Sequence, residues 1–169
     1  MKSRNFAELE KSIVNKRIVY LSAFFIPFLC MLIIYALFKV FPFGDNTVLV
    51  MDLNGQYADF FMWYRQVLLG DDSIIYSFSK EMGGNTFGLF AYYLSSPFFL
   101  LTLFFPQSIM LEGIELITML KLACSGLTFA IFLVNVYKKC DFRILIFSKA
   151  YAIMTYSIHY SMCIMWRDA

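Results

Sequence analysis

The 169 residues are 60% hydrophobic and 20% aromatic, with only 15% charged and a formal net charge of +2. A soluble domain carries about a quarter charged residues, so the composition excludes an ordinary soluble fold and points to an integral membrane protein. No basic patch occurs outside the membrane flanks, which excludes a nucleic-acid binder.

Residues 1–17 form a basic N-terminus, with Lys2, Arg4, Lys11, Lys16 and Arg17 set against Glu8 and Glu10. The 21 residues from Ile18 to Phe38 carry no charge, and a bilayer core needs about 20. The first span is therefore expected over 18–41. A cleaved signal peptide would have a shorter apolar core followed by a small-residue cleavage site. Pro27 lies inside the run and can kink the helix.

Residues 42–113 hold seven acids (Asp45, Asp52, Asp59, Asp71, Asp72, Glu81 and Glu112) but only two bases, Arg65 and Lys80. Facing a basic N-terminus, such a segment belongs outside by the positive-inside rule. Within it, 56–69 reads as a helix: Tyr57, Phe60, Phe61, Tyr64, Val67 and Leu68 share one stripe at helical spacing. Asn54 can cap its start and Gly70 can end it. Too short to span, it is expected on the membrane surface with its aromatic side down. Asp71-Asp72-Ser73 and Gly83-Gly84-Asn85 read as turns, with Ile74 to Phe78 extended or irregular between them.

The apolar run 89–105 is interrupted by Ser95-Ser96-Pro97 and closed by Pro106, and its length is marginal for spanning. The next span, 114–137, leads into Lys138, Lys139 and Arg143, with Lys149 beyond. If 89–105 crossed the membrane, this basic loop (138–143) would lie outside. A juxtamembrane or re-entrant 89–105 puts it inside, and that reading is preferred. A third span covers 144–166, and 167–169 end the chain at its outer face. The expected architecture is an all-α integral membrane protein with three transmembrane helices (alternatively four) and an outer loop of juxtamembrane amphipathic helices. The stop at Trp166-Arg167-Asp168-Ala169, directly after an apolar run, reads as the N-terminal piece of something longer.

Cys30, Cys124, Cys140 and Cys163 are scattered, and three of them sit in apolar runs as small hydrophobes, so neither a disulfide framework nor a zinc site is indicated. This topology puts Asp52 and Asp168 at the outer membrane face, each near a helix end. Two such carboxylates suit acid–base chemistry or metal binding; a helix cap and a water-boundary marker are their structural alternatives. No cofactor is indicated by the sequence beyond that option of a divalent cation. Lys121, about two turns into a span, needs water or an anion, either a structural partner such as Glu115 or a lipid phosphate. His159 is an intramembrane histidine, with a packed, hydrogen-bonded role as the plainer reading. Tyr92, Tyr93 and Trp166 fit an interfacial aromatic belt and equally fit sugar stacking. A phosphate cradle at Gly83-Gly84-Asn85 is a weak signal beside an ordinary turn.

Six blocks occur in a fixed order: D-L-N-G-Q-Y-A-D-F-F at 52–61, L-L-G-D-D-S-I-I-Y-S-F-S at 68–79, M-G-G-N at 82–85, A-Y-Y-L-S-S-P-F at 91–98, L-K-L-A-C-S-G-L-T at 120–128 and I-M-W-R-D-A at 164–169. Together they resemble the start of the bacterial YfhO membrane proteins over residues 17 to 169. The resemblance implies a GT-C-like glycosyltransferase module in the bacterial plasma membrane. Such an enzyme takes a sugar from a polyprenyl-phosphate donor and adds it to a cell-wall polymer acceptor such as lipoteichoic acid. It further implies Asp52 as catalytic base and Asp168 as a second acid. Lys121 and Arg65 would neutralise the carrier phosphate, while Gln56, Tyr57, Tyr92 and Tyr93 position sugar. Cys163 and Arg167 depart from the family's N-I-M-W-L-D pattern. The competing reading is a non-catalytic membrane protein, either a transporter fragment or an assembly partner.

Overall fold

The structure, a computed structural model, describes residues 15–49, 52–80 and 82–159, the side chain of His159 excepted. Asp168, Cys163, Trp166, Glu81, the basic residues before position 15 and the end of the expected third span lie outside these. The described chain is mostly helical and divides into two units. One holds residues up to Ile34 together with Met119–Ile158, and the other holds Tyr35–Thr118.

In the first unit, α1 (Lys16–Leu37) is a helix of 22 residues with Pro27 inside it. It meets α4 (Met110–Tyr137), of which Met119 onward belongs to this unit, through small residues. Gly126 lies so close to the Ala23 carbonyl that a Cβ there would come within 2.6 Å of it, with Pro27 and Ala152 around it. Without a side chain in the way, the two backbones approach closely, a packing that suits apolar helices because it maximises dispersion contact. Val19, Ala23, Ala130, Leu133, Val134, Cys140 and Ile144 form the core beside it.

The outward surface of α1 is apolar too. Ile18, Leu21, Phe25, Leu29 and Ile33 recur at helical spacing and are each about half exposed. Water would penalise such a stripe and lipid would not. α1 and the segment Gln107–Tyr137 are both long and apolar enough to cross a membrane. Thr118, Ser125 and Thr128 return their hydroxyls to backbone carbonyls of α4, so these polar groups are satisfied within the helix.

After Tyr137 the chain turns through the exposed Lys138 and Lys139. Asp141 then caps α5 (Phe142–Ala152), accepting from the backbone N–H of Arg143 at 3.2 Å and of Ile144 at 3.4 Å. α5 stops at Ala152 and α6 (Thr155–His159) follows a break at Ile153 and Met154. The expected continuous helix from 144 is thus interrupted, at a point that holds neither proline nor glycine.

The second unit is built around α2 (Ala58–Leu69), which is entered through a wide π turn, Leu53–Tyr57. The helix therefore starts before the Asn54 cap expected for it, and ends where expected, at Gly70 with φ of 86°. Its aromatic stripe is covered by protein. Phe61 lies 4.8 Å from Phe99, Tyr64 lies 5.6 Å from Phe90, and Tyr57 lies 5.6 Å from Tyr93. The partners come from the run read as 89–105, which is not one helix. A short turn, α3 (Phe87–Leu89), continues as a π turn, Phe90–Leu94, and meets the 3-10 helix Pro97–Phe104 at 103°. Pro97 cannot donate to a preceding turn, and Ser96 is extended with ψ of 135°, so the bend falls at Ser95-Ser96. Leu53, Leu94, Met110, Ile114 and Ile117 complete this core.

Candidate functional site

Between α2 and α3 a loop folds back as a two-stranded antiparallel hairpin, β1 (Tyr76–Ser77) against β2 (Gly84–Asn85). Its organising group is Asp72. The carboxylate accepts from the Ser77 hydroxyl at 2.5 Å, the Ser79 hydroxyl at 3.3 Å and the Ser73 backbone N–H at 2.7 Å. These bonds, the Ser77 hydroxyl foremost, favour the ionised form and hold the carboxyl below its ordinary range. The buried Trp63 indole N–H, without a closely formed hydrogen bond among the described residues, also lowers the same carboxyl slightly. Thr86, buried, ties the other end by donating to the carbonyls of Ser73 and Ile74 at 3.3 and 3.0 Å. The hairpin turns at Gly83, whose φ of 102° suits glycine and whose missing Cβ leaves room for the Tyr76 hydroxyl.

This loop and α2 enclose a cleft of about 540 Å³. Arg65, Gln66 and Asp59 line it from α2, and Lys80 and Gln107 from the loop and the approach to α4. Trp63 and Met110 supply part of its apolar wall. Of the candidate catalytic and substrate-binding residues named from the sequence, only Arg65 lines this cleft among the described residues. Lys80 and Gln107 gave no motif; they reach the cleft because the hairpin and the 3-10 turn Gln107–Ile109 bring distant segments to α2.

Asp52 is exposed at the start of the Leu53–Tyr57 turn and makes no capping hydrogen bond to it. Gln56 is exposed on the same turn. Tyr57, by contrast, is 4% exposed, its ring packed against Phe60 and Tyr93. Tyr92 is 59% exposed and meets Tyr93 edge-on at 4.7 Å. Tyr64 is packed deeply enough that burial raises its phenol above the ordinary value. Lys121 is 5% exposed on α4 and belongs to the other unit. Asp168 lies outside the described residues.

Residues 22–169 match a family described as "Bacterial membrane protein YfhO". The chain belongs to the YfhO family. It is a multi-pass membrane protein, as the family and its two long apolar helices require. Searches of the curated proteins and of the solved structures gave no match. What this YfhO-family chain offers chemically is therefore read from its own residues: an exposed acid after the first long helix, and a separately lined cleft carrying two cations.

Proposed function

We propose that this chain is the N-terminal part of a membrane glycosyltransferase of GT-C type. It would move a sugar from a polyprenyl-phosphate carrier to a cell-wall polymer such as lipoteichoic acid, outside the bacterial plasma membrane, with its own N-terminus in the cytoplasm. The observation that carries the reading is Asp52. The residue is exposed and follows the first candidate span, at the start of the turn that leads into α2.

In the step, the acceptor hydroxyl attacks the anomeric carbon and the bond from that carbon to the carrier phosphate breaks. Asp52 takes the hydroxyl proton, and the carrier phosphate leaves with the bonding pair. Gln56 and Tyr92, both exposed, offer a hydrogen-bonding amide and a ring face to sugar. Tyr57 supports them from within, by holding Tyr93 in place. Asp168 is assigned as the second acid.

Cells whose chromosomal allele carries Asp52→Asn are expected to accumulate the protein in the membrane at normal level while losing sugar from the polymer. Sugar content of purified polymer, compared with immunoblots of the membrane fraction, measures both. Full glycosylation in that strain would remove the assignment in favour of a non-catalytic role.

A further inference from the structure

The cleft beside α2 contains a buried donor that finds no acceptor among the described residues. Arg65 Nε is buried and has no hydrogen-bond partner among the described residues. Asp59 lines the same cleft, yet among the described residues no ion pair joins the two. Arg65 as a whole is only partly buried, so its charge is not cut off from water, but a buried N–H left without an acceptor is itself costly. A donor-only cation with one buried N–H unmet suits an anionic acceptor.

Lys80 places a second cation at the same cleft. Its turn is closed by the Gly83 backbone N–H donating to the Lys80 carbonyl at 2.8 Å, and its Nζ donates to the Asn85 carbonyl at 3.0 Å. That bond fixes the stem and uses one of three ammonium protons. Two cations from different elements match a phosphate ester, which carries up to two negative charges and several acceptor oxygens. At about 540 Å³ the cleft holds more than a bare phosphate, and the remaining polar wall is made of Gln66, Gln107 and Asp59. Two amides and a carboxylate both donate to and accept from hydroxyl groups. Trp63 provides a flat apolar surface for the carbon face of such a ligand.

We propose that this cleft binds a phosphate ester bearing free hydroxyls, with Arg65 and Lys80 on the phosphate and Gln66, Gln107 and Asp59 on the hydroxyls. The ligand class rests on the sugar-transfer reading, whose carrier and polymer are both phosphate esters, but the site invokes neither Asp52 nor turnover, and stands or falls by binding alone.

The test is calorimetric titration of the purified full chain in a non-ionic detergent at low ionic strength. The probes are glycerol 3-phosphate, inorganic phosphate, glycerol and dihexanoyl phosphatidylglycerol. Glycerol 3-phosphate is expected to bind saturably, more tightly than inorganic phosphate, with glycerol alone showing no binding. Arg65→Gln and Lys80→Gln should each weaken it by about tenfold or more, as loss of a charged hydrogen bond predicts, while Lys149→Gln leaves it unchanged. If only the short-chain lipid saturates and both variants lose it, the same chemistry is supplied by a lipid headgroup. Lys80 is exposed on its turn, so Lys80→Gln is expected to fold, and its elution on gel filtration checks this. Absence of saturable binding by either ester, or binding unchanged in a folded Lys80→Gln protein, overturns the proposal.

Discussion

Asp72 shows how one carboxylate organises a loop that has little apolar material of its own. Its bonds to Ser77, Ser79 and the Ser73 N–H all favour the ionised form, so the folded chain binds this proton less tightly than the unfolded chain does. The stability this contributes is present in full above the ordinary carboxyl value of 3.8 and is lost as pH falls below it, through the lowered folded value. Hydrogen exchange at the Ser77 and Thr86 amides is therefore expected to quicken as pH is lowered through that window, after correction for intrinsic exchange. Asp72→Asn should show fast exchange already at neutral pH and no acid-dependent step. Much of this was out of reach of the sequence. Asp71-Asp72-Ser73 is legible as a turn and Gly83 as a second one, but nothing in the spacing says that serines five and seven residues on return to Asp72. The same holds for Arg65, whose charge is visible in the sequence while its buried Nε, without an acceptor among the described residues, is a property of the packed cleft.

At the scale of elements, the two units use opposite means of packing. α2 is held by large rings: Phe61, 2% exposed, sits against Phe99 at the centre of its core. Phe61→Ala is expected to cost about 3–5 kcal/mol, the usual loss for an emptied aromatic site, and to make the segment 53–105 sensitive to limited proteolysis. α1 and α4 instead meet through the missing side chain of Gly126. Gly126→Leu should force the Ala23 carbonyl and Pro27 away from α4 and lower the yield of folded protein in detergent, read by gel filtration. Gly126→Ala should do so less. The aromatic stripe of 56–69 was plain from its period, but its partner was not. The run 89–105 is apolar enough to read as a membrane segment, and although the charge pattern argues against a plain crossing, nothing in the sequence names α2 as its partner. With the stripe occupied by Phe90, Tyr93 and Phe99, any contact of α2 with lipid has to use its other side.

For the whole molecule, the open choice between three and four spans comes down to 87–104. Two short helices meeting at 103° have the geometry of a broken span or of a re-entrant segment. In the re-entrant arrangement, residues before Gln107 and after Leu37 lie on one side and Lys138, Lys139 and Arg143 on the other, which satisfies the positive-inside rule with the basic N-terminus. A crossing would carry the three basic residues outside. Labelling Cys140 is a poor way to decide, because this thiol is 7% exposed and burial raises its proton affinity, leaving little reactive thiolate. Lys139 is exposed in the same loop. In a cysteine-free background, Lys139→Cys is expected to resist a membrane-impermeant maleimide in intact cells and to react after permeabilisation, whereas Ser79→Cys, exposed on the hairpin, should react without it. Labelling of Lys139→Cys in intact cells would instead require 87–104 to cross, and with it a fourth span.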